Sequence, residues 1–442
     1  MKKLWDKGIK LNEFVESFET KDDLVLDQEL VLYDVYGTMA HVAVLAKIKI
    51  LTPKEHKTAQ KGLQEIMEMF AKGEFIPQMG DEDVHTKIEN YLTTKYGEVG
   101  KKIHTGRSRN DQVLTMLRLF IKDQSLSLKE ELLLLIEAFI QFAKQHGSIP
   151  MPGYTHMQKA MPSSIGLWAE SFIESLLDDY FLFQQSLKYI DQSPLGSGAG
   201  YGVSLPLDRA YTASLLGFEK VQNNPLYCQN SRSKFDAAII ASLLQIGLTI
   251  NKCASDVMQF STSEYNFFAV SDSLLSGSSI MPQKKNVDIA ELLRSKVHLL
   301  LGFYTQIISL STNLPSGYNR DIQDAKEALL KSFSITISSL HATKIVAENL
   351  VTNKTKLESA MTSELYATDA AFALVQKGIP FRTAYQHVAK DLSSLGKKSL
   401  QKQPKASSVL RYEKQVKKMR DEFRKEKKRK QDLLEFLLKG GE

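Results

Sequence analysis

Five stretches, at 107–146, 162–192, 231–261, 287–313 and 323–349, run about 25 to 40 residues each without the Pro, Gly and Asn clusters that interrupt regular structure, and their apolar residues recur at helical spacing. A helix of 40 residues would be about 60 Å long. The first stretch carries Val113, Met116, Leu117, Phe120, Leu128, Leu132, Leu135, Phe139 and Phe142. Rods of that length cannot bury their apolar sides in a small globule, so a bundle extended by further copies of the chain is the economical arrangement. A monomeric bundle and a coiled-coil scaffold are the competing readings; sustained heptads with charged e and g positions are not evident, which weakens the scaffold. Strand-like alternation and hairpin dipeptides are not evident between the breaks either. The fold class expected is therefore all-α.

The flanks differ in kind. Residues 1–104 mix shorter helices with polar loops, and 351–442 do likewise, with Lys377-Gly-Ile-Pro380 as a break. The organisation expected is an N-terminal, mostly helical domain (1–104), a central long-helix bundle (105–350) and a small helical C-terminal domain with a basic tail (351–442). A chain of 442 residues with 43% hydrophobic content has ample material for more than one core.

No run of about 18 uncharged apolar residues occurs, and Met1-Lys-Lys-Leu-Trp5 meets Asp6 and Lys7 before a signal-like stretch can form, so a soluble cytoplasmic protein is expected. With only Cys228 and Cys253, a disulfide scaffold is excluded and no zinc-ligand spacing is on offer. His85, His104 and His156 lack metal-site spacing, so no metal is implied. The net charge of +6 is local: from Asp391 onward sixteen Lys or Arg face eight Asp or Glu, leaving the rest near −2. The tail reads as a terminal helix with a solvated face rather than a nucleic-acid-binding arm.

Several segments could carry chemistry. Residues 277–286, Gly-Ser-Ser-Ile-Met-Pro-Gln-Lys-Lys-Asn, join a permissive backbone to hydroxyls (Ser278, Ser279), ammonium groups (Lys284, Lys285) and Asn286. That is the composition of a mobile loop that holds a carboxylate while a serine oxygen reaches the neighbouring carbon; on spacing alone a polar basic surface loop is the better reading. His104-Thr-Gly-Arg-Ser-Arg-Asn-Asp-Gln112 lies where a loop enters the first rod. There Ser108, Arg109 and Asn110 either receive a carboxylate or merely cap a helix. Gly153-Tyr-Thr-His-Met157 sets the Thr155 hydroxyl beside the His156 imidazole, a group of suitable pKa for proton transfer. Glu291 could orient that imidazole or simply favour its own helix start. Tyr318, Gln323 and Lys326, and Glu82-Asp-Val-His85, are further candidates that could equally be surface decoration. Gly196-Ser-Gly-Ala-Gly-Tyr-Gly202 follows no strand and has no acidic partner in a βαβ unit, so a structured loop is expected, not a dinucleotide fingerprint.

Taken together and in this order, Thr105 to Val113, Pro152 to His156 and Gly277 to Asn286 resemble the three signature regions of the fumarase and aspartase superfamily. The Gln-Lys-Lys-Asn ending and the Thr-Gly-Arg-Ser-Arg-Asn-Asp string are similar to its argininosuccinate lyase branch. The resemblance covers roughly residues 10 to 385. It implies a homotetramer with a twenty-helix central bundle, active sites built from three subunits, and reversible cleavage of argininosuccinate to arginine and fumarate, the last step of arginine biosynthesis, without metal or organic cofactor. It also implies roles: Ser278 exchanging the proton at carbon, His156 supported by Glu291 serving the departing nitrogen, and Lys284 holding the carboxylate. Arg109, Asn110, Thr155, Asn286, Tyr318, Gln323 and Lys326, with Ser108, Ser279 and His85, would contact substrate. Departures occur at Trp5-Asp-Lys-Gly-Ile9, at Val287 and at Gln229-Asn-Ser-Arg-Ser-Lys-Phe235, and they bear on the arginine end of the substrate more than on the elimination machinery. Other lyases of the superfamily acting on a different succinylated amine such as adenylosuccinate, or a crystallin-like silent homologue, are the alternatives.

Overall fold

A computed structural model describes residues 12–78, 80–392 and 408–441. The departure at Asp6 to Ile9 lies outside the described residues. Sixteen α-helices occur among them. The N-terminal part holds α1 (Glu13–Leu26), α2 (Val31–Lys47), α3 (Pro53–Ala71), α4 (Val84–Tyr96) and α5 (Glu98–Lys102). The rods are α6 (Arg109–His146), α7 (Ile165–Ile190), α10 (Lys234–Phe260), α11 (Asp288–Leu310) and α12 (Ala325–Glu348), with short α8 (Arg209–Leu215) and α9 (Pro225–Asn230) between the second and third. Then follow α13 (Lys354–Ala360), α14 (Ala367–Val375), α15 (Phe381–Lys390) and α16 (Val409–Leu438). The all-α expectation and all five rods hold.

Strands are short and pair in twos: β1 (Pro150–Thr155) with β2 (Gln158–Ser164), β3 (Gln192–Ser193) with β4 (Lys220–Val221), β5 (Phe268–Val270) with β8 (Leu350–Thr352), and β6 (Ser276–Gly277) with β7 (Lys285–Asn286). The first pair departs from the sequence reading. No Asn-Gly or Asp-Gly announces a hairpin, yet Thr155 faces Gln158 across a two-residue turn in which His156 and Met157 both take positive φ, 50° and 62°. That turn geometry normally recruits Gly or Asn, which is why the pattern was hidden.

Local chemistry sets the rod ends. Ser108 caps α6, its Oγ accepting from the Asn110 N–H at 3.3 Å while its own N–H donates to Asp111 at 2.9 Å. The other Asp111 oxygen accepts from the Gly196 and Gly198 N–H groups, each at 3.0 Å, so the glycine-rich segment is the structured loop expected, pinned to the start of α6. Gly196 and Gly200 have φ of 84° and 109°, and a Cβ there would meet Arg209 at 2.9 Å and Gln229 at 2.8 Å.

The rods alternate in direction. The start of α6 meets the end of α7 through Lys122 and Asp191 (2.5 Å), and its end meets the start of α7 where Phe142 packs on Trp168. The start of α10 returns to the start of α6, where Arg118 donates to Ser231 Oγ at 3.2 Å. Against α10, α11 runs antiparallel, with Asn251 donating to the Arg294 carbonyl at 2.7 Å; α12 then runs parallel to α6, as Phe120 against Phe333 shows. By length and composition α10 contains a window apolar enough to cross a membrane, but 56% of that window is buried within the subunit.

The basic tail is a helix laid antiparallel along α6. Charges alternate across the seam at seven-residue intervals: Glu413 with Lys144, Arg420 with Glu137 (2.7 Å) and Lys427 with Glu130 (3.2 Å). Beneath them Val416, Phe423 and Leu437 are buried at multiples of the same interval, the spacing of a two-helix seam. Truncating Phe423 to Ala should destabilise the protein by about 3–5 kcal/mol in urea denaturation, whereas Lys144→Gln, an exposed pair, should change stability by less than about 1 kcal/mol.

Candidate active site

The alternating rods divide the candidate residues between two ends of the subunit. At the end where α6 begins lie Ser108, Arg109, Asn110, His85, Tyr318, Gln323 and Lys326. At the end where α6 finishes lie Thr155 and His156 on the β1–β2 turn, the 277–286 loop and Glu291. With 38 residues, α6 separates the two by about 57 Å. Among the described residues no hydrogen bond or ion pair joins the two groups, and none joins His156 to Glu291.

The first end is a buried ionic network. Lys326, 6% exposed, donates to Asp27 (2.8 Å) and lies 2.7 Å from Asp23. Burial alone would depress the ammonium, but the Asp27 and Asp23 carboxylates outweigh it and hold its pKa above the usual lysine range. Asp27 also accepts the Val84 N–H at 3.0 Å, tying α1 to α4. Gln323 donates to the Glu19 carbonyl (2.9 Å), one turn before Asp23, and accepts from Arg320. Arg109 pairs with Glu82, lies 3.2 Å from Asp83 and donates to Thr86 Oγ1 at 2.7 Å. The receptor expected at the start of α6 is thus filled by the chain's own groups in the single subunit.

Below Arg109, His85 is buried, its Nδ1 2.8 Å from Asp34 Oδ1. The contact is a charge pairing, not an aligned hydrogen bond, and neither His85 Nε2 nor Asp34 Oδ2 has a hydrogen-bonding partner among the described residues. Burial works against the imidazolium, yet Asp34, Asp83 and Asp27 together raise its pKa.

The second end is open. His156 stands exposed on the hairpin tip, and β1 is anchored by Tyr154 against Phe260 at the close of α10. The β6–β7 ladder pairs Gly277 with Lys285, so 278–284 project as an exposed loop in which Ile280 is 83% exposed. Ser278 Oγ accepts from the Ile280 N–H (3.3 Å) and the Met281 N–H (3.1 Å). Two amide donors on one hydroxyl oxygen favour the charged form of that oxygen. Lys284, Ser279 and Glu291 are exposed, Lys285 pairs with Asp272 (2.7 Å), and Asn286 is half-buried beside Ser276. The arrangement offers a movable oxygen, an imidazole and an ammonium, all facing outward.

Sequence reading missed Asp23, Asp27 and Asp34, which give the first end its charge. Asp23 and Asp27 stand one helical turn apart, a spacing that reads equally as a solvated face; their partner Lys326 is some 300 residues away along the chain.

The profile of the family described as Lyase matches residues 13–302. Curated relatives include an argininosuccinate lyase of Thermotoga neapolitana, 42% identical over 88% of this chain and 97% of its own, and one of Phocaeicola vulgatus, 40% identical over 89% and 88%. Among solved structures, EDDS lyase in complex with formate superposes with a TM-score of 0.75 at 24% identity (98% and 94% covered), and a class II fumarase from Schistosoma mansoni with 0.72 at 15% (87% and 86%). These two speak to the fold alone.

The raised pKa of His85 carries a pH signature. The folded protein holds this proton more tightly than the unfolded chain, so the stabilisation is complete below the free imidazole value of roughly 6.5 and is lost as pH rises through the folded value. His85→Asn should therefore lose more unfolding free energy at pH 6 than at pH 9, measured by urea denaturation at both.

Proposed function

Because the chain belongs to the argininosuccinate lyase family, we propose that it cleaves argininosuccinate reversibly into arginine and fumarate, as the last step of arginine biosynthesis in the cytoplasm. The observation that carries the chemistry is the projecting 277–286 loop, with Ser278 Oγ held on two backbone N–H groups. Support for the substrate comes from relatives near 40% identity that span most of both chains.

A proton has to leave the carbon beside a carboxylate, and the resulting dianion survives only where cations and oriented dipoles hold it. Ser278 takes that proton as its alkoxide, the ionised form that the Ile280 and Met281 amides favour, and becomes a neutral hydroxyl as the negative charge passes to the substrate. Lys284, Asn286 and the loop's amides hold the carboxylate. His156, oriented by Glu291 of another subunit, serves the guanidinium nitrogen as the carbon–nitrogen bond breaks. Ser108, Arg109, Asn110, Thr155, Ser279, Tyr318, Gln323 and Lys326 bind substrate, Arg109, Gln323 and Lys326 by exchanging an own-chain partner for it, and His85, buried against Asp34, supports that end from within.

Such a site needs both ends of the rods, which one subunit keeps about 57 Å apart. Antiparallel packing of rods from further copies brings the start of α6 in one subunit to the far end of another. Leu292, Leu299 and Leu301 on α11, Leu248 on α10 and Leu167 and Phe181 on α7 are exposed along the rods and supply the apolar faces for that packing. We assign a homotetramer.

Purified protein should release fumarate from argininosuccinate, followed by its ultraviolet absorbance, and Ser278→Ala or His156→Asn should lower kcat roughly 10²- to 10⁴-fold without loss of helical content. Folded protein that releases no fumarate would sink the reading. Sedimentation should give a particle of four 49.8 kDa chains.

A further inference from the structure

Between α9 and α10 the chain makes a contorted turn that the catalytic argument leaves unused. Ser233 adopts φ 58° and ψ −36°, and the Lys234 N–H donates to the Arg232 carbonyl at 2.6 Å, the geometry of a strained three-residue turn. Ser233 is fully buried and is not glycine, so the surroundings over-determine a sparsely populated conformation. Its effect is to turn Arg232 toward the loop before α12, where the guanidinium sits over the Tyr318 ring, 4.7 Å from its centre. Next to it, Asn230 clamps the same loop, accepting the Gly317 N–H at 2.9 Å and donating to Ser316 Oγ at 3.2 Å.

Arg232 is 8% exposed and makes no ion pair among the described residues. Of its five N–H donors, the one hydrogen bond found goes to Gln229 Oε1 at 3.3 Å. Burial lowers its pKa, against the pull of Tyr318, Asp236 and Asp23. A guanidinium taken out of water without a carboxylate partner is costly unless an anion meets it. It lies on the same end of the bundle as Lys326, whose ammonium already holds Asp23 at 2.7 Å, so the guanidinium over Tyr318 is left with no carboxylate paired to it among the described residues. The carboxylate of an amino-acid head group is the anion such a fork would take.

We propose that Arg232 is a specificity-determining residue: it receives the α-carboxylate on the amine half of the substrate and so restricts the enzyme to succinylated amines that are themselves amino acids. The inference rests on the lyase reading above. A planar fork matches a carboxylate in two hydrogen bonds, which a lysine cannot do.

The test compares argininosuccinate with the corresponding succinyl adduct of agmatine, which lacks only that carboxylate, on the full-length protein. The wild type should favour argininosuccinate in kcat/KM by roughly 10- to 100-fold, the range of a charge-assisted contact. Arg232→Gln should collapse the preference toward unity, with the change in KM and not kcat, and Arg232→Lys should retain part of it. If Arg232→Gln keeps the full preference, the inference falls and the lyase reading stands; if the folded wild type cleaves neither adduct, both fall. Should the variants not fold, competition on the wild type decides: arginine inhibiting roughly 10-fold or more better than agmatine supports the assignment, and equal inhibition overturns it.

Discussion

Long rods can pack at interior density only where the polar groups along their middles are few and internally satisfied, and that constraint places everything else in this molecule. The five central helices bury Leu, Ile and Phe along their length, and the polar groups buried among them are tied up, Lys129 by Glu426, Asp179 by Thr249, and Ser332, Thr336 and Thr343 by carbonyls one turn back, so polar chemistry that meets a ligand is left to the ends. The starts are the richer ends, because the first turn of a helix has unpaired N–H groups and a positive dipole suited to anions. Ser108 to Asn110 open α6, Arg232 precedes α10, Glu291 lies in the first turn of α11, and Tyr318 to Lys326 lead into α12. Because successive rods reverse, the starts of α6, α10 and α12 share one end of the bundle and that of α11 lies at the other, so a site that draws on all of them has to be shared between subunits.

Charge then fixes how the flanking helices sit on the rods. Lys326 between Asp23 and Asp27 ties α1 to the start of α12, and Asp27 reaches on to α4. A buried ammonium with two carboxylates and little exposure is unforgiving of displacement, since losing either partner leaves charge stranded. Along the other flank the α16 ladder is of a different kind. Its pairs are mostly exposed and individually weak, so the hold comes from the apolar seam of Val416, Phe423 and Leu437 beneath, while the charges set the register. Across the seam Arg420, Lys427 and Lys430 meet Glu137, Glu130 and Asp123 of α6 while Glu413 and Glu426 meet Lys144 and Lys129, so the contact is nearly balanced in charge and Lys414, Lys417, Lys425 and Lys428 stay exposed.

The rods were legible in the sequence because helical periodicity and the absence of breakers act locally, and each rod begins or ends within a few residues of a Gly, Pro or Asn cluster. The outward-facing loop at 277–286 was legible for the same reason. What could not be read were pairings between separate elements, such as Lys326 with Asp23 some 300 residues away or Arg109 with Glu82 in the loop before α4, since an isolated acidic residue looks like any solvated one. The hairpin at 150–164 was hidden by a different cause: His156 and Met157 occupy turn positions that local preference reserves for Gly or Asn.

That concealment is informative in itself. A chain folds reliably when local preference and global structure agree, so a residue held against its preference marks a place where something other than stability was selected. Two such places stand out among the described residues. At the hairpin tip, a left-handed backbone lifts the His156 imidazole clear of the sheet; before α10, the buried left-handed Ser233 turns Arg232 onto Tyr318. The hairpin tip is exposed and gains no burial, whereas the turn at Ser233 is followed by Phe235, buried against Tyr189 and Tyr227; a glycine at either backbone position would relieve the strain. In both, the strained turn's consequence is the direction in which a cationic or titratable side chain points. Under the lyase reaction proposed above, the first of these side chains would serve the proton transfer and the second would read the amine.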